Sequence, residues 1–298
     1  MKKLLQRLFT PFAAFLALGS TGAATAKTPM GKPALWAIAD ADTTIYLFGT
    51  IHLLPENFQW RTAKFDQAVK GSRELVVETI VDDKNPAQLV AAMQKLGFSR
   101  GLPPVSERVP PAQRARLAAA IAKSGVPQIA YDKMETWAAA FLLMGNQFKS
   151  MGLQSGQGVE TVLRNNFLND NKPIGELETN FEQLSYFDRL PENAQRALLL
   201  GAIMETPASK KEFGGMLTAW SRGDVNAIAR SFDKDMKSSP QLKQSLIKQR
   251  NANWRKWIEQ RLAQPGEVMV AVGAGHQAGK DSVIAMLQKQ GYRVRRVQ

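Results

Sequence analysis

"LFGTIHL" (residues 47–53) and "VGAGHQAG" (residues 272–279) decide how this chain is read. Each places Gly-x-x-His at the end of an apolar, β-like run, and the 298-residue chain has only two histidines, His52 and His276. The runs that lead into them, "IYLF" and "VMVAV", read as strands covered on both faces, as in a parallel or mixed α/β sheet. In open sheets of that kind, ligands bind in the crevice beyond the carboxyl ends of the strands. Histidines from opposite ends of the chain would then share one cleft, provided that their strands are neighbours.

The flanking sequence supplies the rest of the sheet. "ALWAIADADTTIYLFGTIH" predicts two short strands joined at the Asp-rich turn "DADT". "NFQWRTAKFDQAVKGS" has helical spacing with a stop at Gly71, "RELVVET" is a buried strand, and "NPAQLVAAMQKLGF" is a second helix. That order is the rhythm of an α/β unit. Residues 107–172 are expected to be mostly helical, with "PQIAYDKMETWAAAFLLMGNQFKSMG" as one helix, before "KPIGELET" returns as a strand. Residues 180–264 are again helical, ending in a long amphipathic stretch from Pro240 to Gln264. "GEVMVAVGAGH", "KDSVIAMLQKQG" and "YRVRRV" then read as strand and loop, helix, and strand. The fold class is therefore α/β: a mixed β-sheet built from both chain ends around a large helical insertion. No repeat or low-complexity linker divides residues 27–298, which favours one domain.

The first 26 residues, "MKKLLQRLFTPFAAFLALGSTGAATA", have a cationic start, a short apolar stretch and small residues ending in Ala24-Thr25-Ala26. That is the layout of a cleaved secretory signal, with cleavage expected after Ala26 and a periplasmic or secreted location. The chain has no cysteine, so it has no disulfide framework, and any metal must be held by nitrogen and oxygen ligands. A net charge of +13 favours anionic partners such as a membrane surface or an anionic polysaccharide. The Lys and Arg residues are scattered without a block run or a nucleic-acid motif, which argues against nucleic acid.

Carboxylates end the other two strand-like runs. "LVVE" finishes at Glu78, and "PIGELE" carries Glu176 and Glu178 on one side of a strand. Two imidazoles with one or two carboxylates suit a divalent ion such as Zn, Mn, Co or Fe. His52 and His276 are the candidate imidazole ligands, with one or two of Glu78, Glu176 and Glu178 as the carboxylates that would join them. Gly49, Gly273 and Gly275 would let the backbone turn sharply and approach a ligand closely. Glu160, in "GVET", falls in the first turn of a helix, where negative charge is favourable in any case. Arg250 lies four residues after Leu246 and four before Trp254, on the apolar stripe of its helix. An arginine on such a face needs an acceptor. Glu78 or Glu178 could supply it, or Arg250 could stabilise negative charge in a reaction, unless it snorkels to the surface. The spacing Gly273-x-Gly275-x-x-x-Gly279 misses the dinucleotide pattern by one residue, and no acid follows to hold a ribose. No Gly-x-Ser-x-Gly elbow, phosphate loop or His-Glu-x-x-His is present.

The pairing of "LFGTIHLLP" with "VAVGAGHQAGKDSVIAMLQKQGYRV" resembles the TraB/GumN family, which is related to the Tiki proteases. "GVETVLRNNFLNDNKPIGELETNFEQLSYFDRL" and "RNANW" (residues 250–254) are similar to further elements of that family, which would put Asp where this chain has Glu160. The resemblance spans roughly residues 34–297. It implies a mixed α/β core similar to that of erythromycin esterase and the haem-binding ChaN proteins. It also implies metal-dependent hydrolysis of a peptide or protein, with Mn, Co or Zn as the cofactor. Carried onto this chain, His52, His276 and Glu78 form the centre and Arg250 assists, with Gly49, Gly273, Gly275, Glu160, Glu178 and Asn253 in support. Two alternatives stay open. One is a non-catalytic binding protein for a peptide, a haem-like ligand or an anionic polysaccharide; the other is an esterase using the same site.

Overall fold

The computed structural model describes residues 31–81, 85–99, 101–150, 158–204, 207–236 and 240–298. The signal-like residues 1–26 lie outside them. In chain order the elements are β1 (Leu35–Ala39), β2 (Thr43–Thr50), α1 (Ala63–Gly71), β3 (Glu74–Val77), α2 (Ala87–Leu96), α3 (Arg114–Ser124), α4 (Gln128–Asp132), α5 (Thr136–Ser150) and α6 (Val159–Asn169). They continue with β4 (Ile174–Glu176), α7 (Asn180–Asp188), α8 (Glu192–Ala202), α9 (Pro207–Ser221), α10 (Val225–Met236), α11 (Pro240–Lys243), α12 (Arg250–Leu262), β5 (Gly266–Gly273), α13 (Val283–Lys289) and β6 (Val294–Arg296). Among the described residues, no helix is long and apolar enough to cross a membrane.

The strands form one mixed sheet in the order β4-β3-β5-β2-β1-β6. β5 runs parallel to both β2 and β3, and β3 runs parallel to β4. β1 is antiparallel to β2 and to β6. The two strands that lead to the histidines are therefore direct neighbours, with Thr50 opposite Gly273. Alternation divides the sheet between two cores. Ile45, Leu47, Val268, Val270 and Val272 pack beneath α12 and α13, on Trp254, Ile258, Val283, Ile284 and Leu287. Phe48, Met269 and Ala271 point the other way, into a larger core shared with α1 and the helices between β3 and α12. Both faces are covered, which is why these strands are apolar throughout.

Three local expectations need correction. Residues 57–62 are not helical: α1 begins at Ala63, after Thr62, whose hydroxyl caps the Phe65 N–H. The expected helix from Pro127 to Gly152 is two helices, α4 and α5, interrupted at Lys133–Glu135. There the Ser99 N–H bonds the Lys133 carbonyl and the Glu135 N–H bonds the Gly97 carbonyl, so a neighbouring segment takes the place of helical pairing. The stretch from Pro240 changes pitch: Gln244–Gln249 is π-helical and hands over to α12 at Arg250. Such π segments often lie at functional sites.

α7 opens with a reciprocal cap, in which Thr179 Oγ1 accepts the Glu182 N–H and the Glu182 carboxylate accepts the Thr179 N–H. This cap aims Gln183 at Glu78. Thr179→Ala should cost about 1 kcal/mol. In a thermal melt of the purified variant, a midpoint lowered by roughly 2–4 °C checks it.

Candidate functional site

Glu78, Glu178 and His276 converge on Arg250. β3 and β4 remain bonded past their ends: the Leu177 N–H donates to the Val77 carbonyl and the Glu178 N–H to the Glu78 carbonyl, which sets the two glutamates side by side. α12 brings Arg250 against both. Arg250 Nη2 lies 2.7 Å from Glu78 Oε2 and 2.8 Å from Glu178 Oε2, and Nε lies 3.0 Å from each Glu178 oxygen. Its remaining Nη1 is 3.1 Å from His276 Nε2. All four groups are buried. Trp254, one turn after Arg250, donates from its indole to Glu178 Oε1, and its ring lies 4.4 Å from the His276 ring centroid.

The imidazoles are oriented through their other nitrogens. His276 Nδ1 lies 2.7 Å from Asn251 Oδ1, while the Asn251 amide donates to the backbone carbonyls of Asp281 and His276. With its amide used in this way, Asn251 presents an acceptor, so His276 carries its proton on Nδ1 and offers a lone pair on Nε2. His52 Nδ1 lies 2.6 Å from Glu160 Oε1. The contact is possible because the Val159 N–H at the start of α6 donates to the Ile51 carbonyl, tying that helix end to the end of β2.

Electrostatics separate the roles. Burial pushes the Glu78 carboxyl up, but Arg250, His276, His52 and the Gly273 N–H pull it down to about 2. Burial and then Arg250 push His276 down to about 3, so it is neutral. For His52, burial works downward, yet Glu160 and then Glu78 outweigh it and the net direction is up. Burial drives the Glu178 carboxyl up against the pull of Arg250.

The glycines act through closeness. None of Gly49, Gly273 and Gly275 has a positive φ, so the sharp turn expected there is not their function. A Cβ on Gly49 would sit 3.0 Å from Ala274 Cα, one on Gly273 3.1 Å from Glu78 Oε1, and one on Gly275 2.5 Å from the Phe232 ring. Bare backbone is what lets the two loops, the carboxylate and α10 approach one another.

Of the residues singled out in the sequence, His52, Glu78, Arg250, Gly273, Gly275 and His276 line one cleft. Glu160 and Glu178 act on it through His52 and Arg250. Gly49 contacts the loop from behind. Glu176, expected on the same side of the strand as Glu178, instead accepts the Ile80 N–H at 2.7 Å. Asn253 is exposed and bonded to Tyr186, while its neighbour Asn251 reaches His276. Sequence reasoning missed Asn251, Gln183 and the apolar wall of Met216, Trp220, Ile228 and Phe232. The i, i+4 pairs Met216/Trp220 and Ile228/Phe232 signalled buried helix faces, but nothing in the spacing said what they face. Among the described residues, no three His, Asp or Glu side chains already converge as a metal-binding group.

Paired Gly-x-x-His loops at the carboxyl ends of adjacent parallel strands, with a Glu–Arg–Glu network between and beneath them, define the class. The chain belongs to the TraB/PrgY/gumN family, whose model matches residues 34–296. It is similar to "Uncharacterized protein YbaP" of Escherichia coli (strain K12), with 24% identity over 86% of this chain and 92% of that protein. It is likewise similar to "Uncharacterized protein YbaP" of Shigella flexneri, with 25% identity over 82% of this chain and 87% of that protein. No solved structure matches the chain.

Two outcomes follow from the network. Arg250→Met should cost roughly 3–5 kcal/mol, because it leaves two buried carboxylates without their cation. Arg250→Lys should recover only part of that, since a point charge cannot satisfy both; chemical denaturation of both variants checks this. For pH, His276 and Glu78 are both depressed in the fold, so protonation favours the unfolded chain. Stability should fall as pH drops, His276 acting from about 6.5 to about 3 and Glu78 from about 4.5 to about 2. His52, shifted upward, works in the opposite sense and gives up stability as pH rises through its folded pKa. On going from pH 7 to pH 5, the melting midpoint of His276→Gln should therefore fall less than that of the parent, or rise, because only the opposing His52 contribution remains.

Proposed function

We propose that this protein is an exported metal-dependent hydrolase, most plainly a peptidase, working in the cleft between its two Gly-x-x-His loops. The observation that carries the reading is the matched bracing of the imidazoles. Each has a side-chain partner on Nδ1, Glu160 for His52 and Asn251 for His276, which is the outer arrangement that metal-ligating histidines use to direct Nε2 at an ion. His52 and His276 would hold a divalent ion through Nε2, with Glu78 as the third ligand; its Oε1 lies 3.9 Å from His276 Nε2. Such an ion would lower the pKa of a bound water toward neutrality and polarise a scissile carbonyl.

The chain's own groups divide the remaining work. A carboxyl with a pKa of about 2 is poorly matched to proton abstraction near neutrality, so Glu78 serves as an anionic ligand rather than as the general base. Arg250 stays charged, holds both glutamates, and has Nη1 on His276 Nε2. It would give up that contact to the ion and turn Nη1 to negative charge developing on the substrate.

That same contact between Arg250 and His276 favours a second reading, a binding protein that uses the cleft without turnover. Metal titration separates the two. The metal-stripped protein should gain about 2.7 kcal/mol at a hundredfold excess over the dissociation constant of Mn, Co or Zn, and His52→Ala/His276→Ala should lose that gain. Metal-dependent cleavage within a panel of peptide and ester substrates should vanish in the same variant. Full activity in the double variant would end the proposal.

A further inference from the structure

One wall of the cleft does no work for the polar network. The cleft's titrating groups are already partnered: Glu78 with Arg250, His52 with Glu160, and His276 with Asn251 and Arg250. The wall is Met216 and Trp220 of α9 with Ile228 and Phe232 of α10, uncharged throughout. This wall is fixed in place: the Trp220 indole donates to the Gly49 carbonyl at 2.7 Å, and the Phe232 ring is seated where Gly275 lacks a side chain. At the base of the wall lies Thr50, the last residue of β2, two positions before His52. The residue is 2% exposed and lines the cleft, yet Oγ1 has no hydrogen-bond partner among the described residues. A buried hydroxyl in that state costs free energy, and native structures keep few of them without a reason.

We infer that Thr50 and this wall form a recognition subsite for a peptide with an apolar residue beside the reacting bond. The Thr50 hydroxyl hydrogen-bonds the peptide main chain, and Met216, Trp220, Ile228 and Phe232 receive the apolar side chain. The inference deepens the peptidase reading by naming the substrate class, and it rests on that reading only for the position of the scissile bond. Peptide fits both halves of the site at once, since it carries a polar backbone at every residue next to a side chain that can be wholly apolar. An acidic side chain would have to give up its hydration against four uncharged residues.

The test uses the purified protein and the blocked peptides acetyl-Ala-X-Ala-amide, with X as Leu, Phe or Asp, titrated by NMR without added metal. Leu and Phe peptides should bind at least roughly tenfold more tightly than the Asp peptide. Phe232→Ala should remove most of that preference. Thr50→Val should weaken the Leu, Phe and Asp peptides alike, by about tenfold, and Thr50→Ser should retain binding. Because the hydroxyl has no internal partner to lose, Thr50→Val should melt at or above the parent temperature. Equal binding of Leu and Asp peptides would overturn the inference. So would unchanged peptide binding in Thr50→Val, or a fall of several degrees in its melting midpoint. Apolar preference without cleavage by any metal-loaded form would leave the subsite standing and remove the hydrolase. Cleavage without preference at X would do the reverse.

Discussion

Everything at the centre of this protein hangs on one buried cation. Arg250 receives two carboxylates from the ends of adjacent strands and touches an imidazole from the end of a third. Without it, Glu78 and Glu178 would face each other in a poorly solvated space, and both strand ends would be forced apart. With it, β3, β4, β5 and α12 are held to one point. The cost of burying such charges is recovered only because nearly every polar atom finds a partner: Trp254 and Gln183 on the carboxylates, the Gly273 N–H on Glu78, Asn251 on His276.

The asymmetry of the site follows from that network. His276 is enclosed beside Arg250 and is neutral, whereas His52 is paired with Glu160 at the edge of the cleft and is pushed toward the protonated form. Two residues in the same four-residue motif thus have opposite electrostatic settings. Glu160 beside one imidazole and Arg250 beside the other make the difference, as local sequence cannot.

Much of the sheet could be read in advance because its strands are unusually plain. β2 and β5 are eight-residue runs without charged interruption except at Glu267, and that continuity marked them as covered on both faces. Arg250 was legible for a related reason, since its phase on the apolar stripe demanded an acceptor. Three things were hidden. The pairing of His52 with Glu160 depends on one backbone bond between Val159 and Ile51, which no periodicity reports. The choice of Asn251 over Asn253 depends on which residues of α12 face His276 after the π-helical segment. The glycines were expected to make turns and to approach a ligand, whereas what crowds them is Ala274, Glu78 and Phe232 of the same chain, because a sequence does not tell which atoms crowd a missing Cβ.

The sheet's order also decides when the molecule can exist at all. β5 lies between β2 and β3, yet it is residues 266–273 while its partners are residues 43–50 and 74–77. Before β5 is inserted, β2 and β3 have no bonds to each other, and each offers an apolar edge to any passing strand. Closing so long a span is slow, and the intermediate that waits for it is the species most prone to aggregate. The centre of the sheet is therefore completed only when β5, from the last quarter of the chain, takes its place between β2 and β3. The same insertion that fills the sheet brings the His276 loop beside the His52 loop, so sheet closure and site assembly are one event.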